Sequence, residues 1–336
     1  MPKRKRGKAS GKSRNGSAKR KIKQKQRDRF VVNAVIVAVA AILLVLVANI
    51  IGTGNRFIPE LSSETPVQSF PGENAMPFES SKQCRIDFLD VGQGDCSLIT
   101  TPGDGYILID AGTASSRDEI LKFLEASGVD ELDYLILTHP HNDHIGSASA
   151  VLSEYDVKCV IMPDVSTTSS QFERLYDALV LEKEQGCRIY SAVPGDVYEV
   201  GGCSMNIIGP YECDDENLNN CSIAMIFTYG EFDAFFAGDT ESDVEKQLIS
   251  AGSIKDCELY KVSHHGSDTS NSQSLIDILM PEISVISCGK DNSYGHPSTA
   301  VVKRLYDCGS TVYNTAENGT VTVATDGAGY SVYITE

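Results

Sequence analysis

The chain has 336 residues, ten cysteines, six histidines and a formal charge of −17, from 46 Asp/Glu against 29 Lys/Arg. It is too long, and its cysteines too widely spaced with no Cys-x-x-Cys pair, to be a small disulfide-stapled scaffold. The acidic excess excludes a surface that attracts polyanions at long range, although local contacts can still bind a phosphate.

Charge is unevenly spread. Residues 1–29 hold fourteen Lys/Arg and one acid, Asp28. With almost nothing to bury, this segment is expected to be a disordered basic tail. Gly7 to Ser13 imitates a phosphate-binding loop, but it is one residue short between its glycines and follows no strand. Residues 30–51 are uncharged and mostly apolar, and as a helix would reach about 33 Å, enough to cross a bilayer. They lack the short core and small-residue cleavage site of a signal peptide, so the reading is an uncleaved transmembrane signal anchor. The basic tail holds the N terminus in the cytoplasm, contacts anionic lipid, and makes the protein single-pass in the cell membrane. Everything downstream is then extracellular, and residues 30–336 carry 45 Asp/Glu against 15 Lys/Arg. Residues 52–83, with Pro59, Pro66, Pro71 and Pro77 among Ser, Glu and Gly, read as an extracellular linker. Residues 84–336 are enough for one α/β domain with a large core.

Within that domain, Arg85 to Asp90 alternates as a strand and leads through the turn Val91-Gly92-Gln93-Gly94-Asp95 into strands at Cys96–Thr100 and Tyr106–Asp110, a meander. A helix is expected over Ser116–Ser127, stopped by Gly128, followed by a buried strand in the apolar run Leu132–Leu137. Next comes Thr138-His139-Pro140-His141-Asn142-Asp143-His144-Ile145-Gly146. Three imidazoles and a carboxylate in six residues point to a metal-binding loop, expected to leave a sheet edge, and His139 and His141 project to one side of an extended chain. Two pairs of ligands facing two ions is the arrangement two-metal hydrolases use. A lone histidine is usually packed or solvated, and Asp143 alone suits a helix N-cap. Against that, the other three histidines are His264, His265 and His296, each beside Gly, Ser or Asp, so none is scattered.

Strands and helices then alternate: strand Val157–Met162, helix Gln171–Glu184, strands to Ile208, strands Ser222–Tyr229 and Phe232–Ala237, helix Glu241–Ser250, strand Glu258–Val262, helix Ser272–Leu279, strand Ile283–Ser287, helix Thr299–Leu305 and closing strands. This order predicts two sheets packed face to face with helices outside. Asp239, in Ala237-Gly238-Asp239-Thr240, is placed to bridge two ions, or by the blander reading to N-cap a helix. His264-His265-Gly266-Ser267 follows a strand, and Tyr294-Gly295-His296-Pro297 lies in a later loop. Cys159, Cys187 and Cys288 read as packed thiols, and a Cys203–Cys213 bridge is an open option.

These words together resemble the metallo-β-lactamase superfamily, and within it the hydrolase domain of the DNA-uptake (competence) protein ComEC. The resembling residues are Phe88–Asp95, Leu108–Gly112, the histidine loop, Asn219–Ser222, Ala237–Thr240, Val262–Ser267 and Gly295–Pro297. The resemblance implies a four-layer αββα sandwich. It implies that His139 and His141 bind one divalent metal, that Asp143, His144 and His264 bind another, and that Asp239 bridges. Many superfamily members have a further histidine between His144 and His264, which this chain lacks; Asn219, Ser222 or water would fill in, making Mn²⁺ as acceptable as Zn²⁺ at one or two positions. By the same resemblance, Asp110 orients a ligand imidazole, Asp95 belongs to the site's surroundings, and His265 and His296 stand near the substrate with Asp143 as catalytic residues.

The expected function is a membrane-anchored, metal-dependent hydrolase, most naturally a phosphodiesterase or nuclease working through metal-activated hydroxide, with nucleic acid or a phosphate-bearing envelope polymer as substrate. No Gly-x-Ser-x-Gly elbow and no activated cysteine offers a covalent route. The alternatives are a hydrolase of small esters, lactones or amides, and a non-catalytic surface protein whose metal is structural.

Overall fold

The structure is a computed structural model that describes residues 67–68, 83–213 and 216–335. The strands, in chain order, are β1 (Val67–Gln68), β2 (Cys84–Phe88), β3 (Ser97–Thr100), β4 (Tyr106–Ile109), β5 (Glu131–Leu132), β6 (Tyr134–Ile136), β7 (Asp156–Val157), β8 (Cys159–Met162) and β9 (Arg188–Ser191). They continue with β10 (Val197–Val200), β11 (Cys203–Gly209), β12 (Ala224–Tyr229), β13 (Phe232–Phe236), β14 (Leu259–Lys261), β15 (Ile283–Ile286), β16 (Thr311–Asn314), β17 (Thr320–Thr325) and β18 (Tyr330–Thr335). One sheet has the order β18-β17-β2-β3-β4-β6-β8-β9, the other β1-β10-β11-β12-β13-β14-β15-β16, and β5 pairs with β7 apart from both.

Each sheet is antiparallel on one side and parallel on the other. The β2–β3–β4 meander is antiparallel, and β4, β6, β8 and β9 run parallel. In the second sheet β10 to β13 are antiparallel, and β13 to β16 parallel. The parallel strands are buried on both faces, which is why they read as continuous apolar runs rather than alternating ones. Their C-terminal ends are where the histidine loop, Asp110, Asp239 and His264-His265 emerge, as open α/β sheets favour.

Between the sheets, Ile86, Phe88, Ile107 and Tyr134 meet Tyr198, Met205, Phe227 and Phe236. The rings of Phe88 and Phe236 stack across the interface with centroids 6.1 Å apart. Outside the first sheet, the helices Arg117–Ala126 and Ser170–Gln185 bury Ile120, Leu124, Phe172, Leu175 and Leu179. Outside the second, Ser242–Ala251, Gln273–Leu279 and Thr299–Asp307 bury Val244, Leu248, Leu275, Leu279 and Leu305. Each fully buried Leu, Ile or Phe contributes roughly 1.5–3 kcal/mol. The helix Ser170–Gln185 is delimited locally: the Ser169 side chain accepts from the Phe172 N–H at its start, and Gly186 ends it at φ 110°, where a side chain would be strained. The result is the expected αββα sandwich.

Three expectations change. The run Leu132–Leu137 is two strands, because Asp133 interrupts it; its buried carboxylate accepts from the Tyr106 N–H at 2.9 Å and from Lys158 Nζ at 2.7 Å. β6 also lies inside its sheet, so the histidine loop leaves a strand end rather than a sheet edge. Cys203 is a buried free thiol, and Cys213 pairs instead with Cys221. Cys159, Cys187 and Cys288 are free and buried, as expected. Within the segment read as a linker, β1 pairs in parallel with β10. The basic tail and the proposed span at residues 30–51 lie outside the described residues; among the described residues no helix is long and apolar enough to cross a membrane.

Candidate metal centre

The histidine loop is held from three sides. Asp110, at the end of β4, accepts from the Thr138 N–H with Oδ1 at 2.8 Å and from Thr138 Oγ1 with Oδ2 at 2.7 Å. Gly94 lies so close that a Cβ there would stand 2.5 Å from the Asp143 carbonyl oxygen. The Asp95 N–H donates to that same oxygen at 3.1 Å. The Gly-Gln-Gly-Asp turn is therefore a buttress for Asp143, which explains glycine where the two backbones touch.

His144 Nδ1 lies 2.7 Å from Asp110 Oδ2, so this nitrogen carries the proton and Nε2 is turned to Asp239 Oδ1 at 3.3 Å. His139 Nε2 stands 2.9 Å from His141 Nδ1 and 3.7 Å from Asp239 Oδ2. Asp239 is fixed by its own backbone: its N–H donates to Ser222 Oγ at 3.0 Å. Ser222 thus holds the aspartate in place. Gly238, at φ 48°, makes the turn before it, where a Cβ would meet Thr138 Oγ1 at 2.8 Å.

The adjacent imidazoles His264 and His265 point different ways because both residues are left-handed, at φ 51° and 52°. Strain of this kind in non-glycine residues concentrates at functional sites. His265 faces inward. Its Nδ1–H donates to Ser287 O at 2.9 Å, and Nε2 lies 3.3 Å from Asp143 Oδ2 and 3.7 Å from Asp239 Oδ2. The resemblance grouped His264 with Asp143 and His144, but the imidazole the turn brings to Asp143 is His265. His264 Nε2 is 3.9 Å from Asp239 Oδ2, while its Nδ1 is 3.8 Å from Glu241 Oε1. Asn219 Nδ2 lies 3.5 Å from His264 Nε2 and donates to Glu241 Oε1 at 3.3 Å. The His296 ring is 5.6 Å from that of His264 and 6.2 Å from that of His265.

These side chains fit a cation. His144 Nε2, His265 Nε2 and Asp239 Oδ1 are buried without any hydrogen-bond partner, a cost a polar atom bears only where something else satisfies it. The triads His139–His144–Asp239 and Asp143–His144–His265 each bring their ligand atoms within 4.8 Å of one another. Imidazole nitrogen with carboxylate oxygen is a donor set for divalent ions.

The buried charges also shift the titration of these groups. Burial opposes charge on His144, yet the carboxylates of Asp239 and Asp110 outweigh it and hold the imidazole well above its usual pKa. His265 is likewise pushed up to about 10, burial being overcome by Asp239, Asp143 and Asp95. Asp239 is held well below the carboxylate range, because His144, His265 and His139 outweigh its burial. His139 is driven the other way, by burial and then by the charge of His144.

A cavity of about 370 Å³ opens over these groups, lined by Asp143, Asp239, His264, His265 and His296 and at its rim by Gln93 and Tyr294. The sequence does not point to Lys261, whose ammonium binds Asp95, or to Glu241, and it gives Gln93 and Tyr294 only as parts of their loops. The available signal for Lys261 was one charge inside the apolar run Leu259 to Val262.

Residues 89–209 match the family described as "Metallo-beta-lactamase superfamily". The chain is 31% identical over 258 residues to ComE operon protein 3 of Bacillus subtilis, a match covering 72% of this chain and 33% of that protein. It is 31% identical over 244 residues to Recombination protein 2 of Haemophilus influenzae, covering 71% and 28%. It is 28% identical over 225 residues to Competence protein ComA of Neisseria gonorrhoeae, covering 66% and 30%. The chain thus spans about a third of the length of these curated relatives. Among solved structures, the diiron β-hydroxylase CmlA of Streptomyces venezuelae superposes with a TM-score of 0.50 at 15% identity, over 72% of this chain and 54% of that one, a likeness of fold alone. Taken with the αββα layers and the ligand types gathered at their strand ends, these matches mean that the chain belongs to the metallo-β-lactamase superfamily and is ComEC-like within it.

Proposed function

We propose that the folded domain is a metal-dependent hydrolase of phosphodiester bonds. The observation that carries this reading is the set of orphaned, buried ligand atoms on His144, His265 and Asp239, the last two lining an open cavity. His139, His141, His144, Asp143, Asp239 and His265 would hold one or two divalent ions, Zn²⁺ or Mn²⁺ by donor type, with His264 and Asn219 beside them. Such an ion supplies Lewis acidity, which brings the pKa of water toward about 7 and offsets negative charge on a substrate oxygen.

The protein's own groups do the rest. Asp143, partly exposed, is the carboxylate that solvent in the cavity reaches, and it orients the attacking water. Burial, and then the neighbouring His265 and His264, lower the pKa of His296. It is therefore neutral at working pH and suits a hydrogen bond to a phosphate oxygen better than transfer of a proton to the leaving group. The relatives named for competence and recombination favour nucleic acid over a phosphate-bearing envelope polymer as substrate. The apolar stretch 30–51 anchors the chain in the cell membrane, N terminus in the cytoplasm, and the hydrolase domain is extracellular.

The test uses the full-length chain: metal content per chain, then rates on a model phosphodiester, single-stranded DNA and a model lactone. Asp239→Ala should abolish phosphodiester hydrolysis while the fold survives. Loss of the fold together with the metal would indicate a structural ion. Turnover of the lactone alone would favour a hydrolase of small esters, a reading the acidic surface supports.

A further inference from the structure

We propose that Tyr294 is a stacking platform for the nucleobase beside the scissile bond, a subsite that rests on the phosphodiesterase reading of the same cavity. Tyr294 is 69% exposed, an aromatic ring kept in water rather than in the core. It is nonetheless ordered by its surroundings. Its ring lies 5.7 Å from that of His296 at an interplanar angle of 23°, and His296 in turn lies 6.2 Å from His265 at 28°. Three near-parallel rings thus climb from the cavity floor to its mouth, where Tyr294 lines the opening.

The loop that presents the ring is closed by one side chain. Asn292 Oδ1 accepts from the N–H of Tyr294 at 3.2 Å and of His296 at 3.0 Å, and its Nδ2 donates to the carbonyls of Gly289 at 2.9 Å and His296 at 2.5 Å. A ring held this way loses little freedom on binding, which is what a preorganised contact requires.

The cavity's lining also argues for a stacked base. Among the described residues it contains no Lys or Arg. Affinity for nucleic acid usually comes from cations on phosphates, and no described lining residue supplies one beside the bond to be cut. Base–aromatic stacking is the other source, and it is tolerant of sequence because every base has a flat face. A polyol phosphate polymer offers no such face to Tyr294.

The experiment compares a dinucleoside monophosphate, which has a single phosphodiester bond, with its two analogues lacking one base or the other, using full-length, metal-loaded protein. The wild type should cleave the intact dinucleotide roughly 10-fold to 100-fold faster in kcat/KM than one of the analogues. Tyr294→Ala should shrink that ratio to near one, and Tyr294→Trp should restore it. Equal rates on all three substrates in the wild type, a base preference that persists in Tyr294→Ala, or faster cleavage of a glycerol-phosphate polymer by wild type and variant alike would overturn the proposal. If neither these substrates nor a model phosphodiester is cleaved, the phosphodiesterase reading fails. Equilibrium binding then decides on the platform: a base preference lost in Tyr294→Ala upholds it, and equal binding of all three ligands overturns it.

Discussion

Lys261 Nζ lies 2.7 Å from Asp95 Oδ2, an ion pair between residues 166 positions apart that joins the two β-sheets beside the metal centre. Lys261 ends β14 in one sheet, and Asp95 precedes β3 in the other. The side chains are only 4% and 6% exposed. The other Asp95 oxygen, Oδ1, lies 3.3 Å from His265 Nδ1. Burial alone would raise the Asp95 carboxyl, but the ammonium of Lys261 and the imidazole of His265 keep it below the usual range. The pair therefore fixes the spacing between the half-domains where their loops meet.

Replacing Lys261 with Met should leave the buried Asp95 carboxylate without its ammonium partner and cost about 3–5 kcal/mol of stability. The double variant Lys261→Met, Asp95→Asn should recover much of that loss. Urea unfolding of the four proteins measures the coupling, and additive costs would show that the two charges do not act as a pair.

Asp110 holds Thr138 and His144 Nδ1 and does not line the cavity. Asp110→Asn puts an amide N–H toward either the Thr138 N–H or the His144 Nδ1–H, so one of these donors loses its acceptor. Metal affinity should fall roughly 10-fold to 100-fold, read by competition with a chromophoric chelator, while the circular dichroism spectrum stays that of the wild type.

Gly238→Ala tests the turn before Asp239. Its φ of 48° and the 2.8 Å approach to Thr138 Oγ1 leave no room for a methyl group. Left-handed backbone alone costs about 1–2 kcal/mol in a non-glycine residue. The variant should be destabilised by at least that much in urea and should bind less metal per chain. An alanine protein with wild-type stability would show that the turn relaxes freely.

Glu245 gives a pH signature remote from the metal ligands. It is buried, and its carboxylate accepts from the N–H groups of Asn271 at 2.5 Å and Ser272 at 3.0 Å. Burial nevertheless raises its pKa, outweighing those hydrogen bonds. A carboxyl whose pKa is higher folded than unfolded binds more protons in the folded state. Its stabilising contribution is complete below the unfolded pKa of about 4.3 and is lost as pH rises through the folded value. The stability of the wild type relative to Glu245→Gln should therefore be greatest in acid and decline upward through the carboxyl range, as read from urea midpoints at successive pH values. A difference independent of pH would contradict it.

Much of the centre was legible beforehand because its chemistry is rare and concentrated. All six histidines were read as site residues, and the structure gathers them around Asp239. The glycine-rich turn is plain in the sequence, but its reason is the contact between Gly94 and Asp143, which only the folded chain makes. Which of His264 and His265 turns inward was not legible, since their order along the chain is silent about two consecutive left-handed residues. The exposed Tyr294 gave no periodic signal, and the partner of Cys213 depended on which loop reached it.

What this sequence determined by itself was local: strand and helix order, the apolar runs that become buried parallel strands, and the ligand types placed at their ends. Those follow from side-chain period and turn chemistry, which act over a few residues. The tertiary structure alone decided the pairing of Lys261 with Asp95, the inward choice of His265 and the ladder of rings leading to Tyr294. Each depends on distances between segments far apart along the chain, and those distances are set by how the two sheets pack.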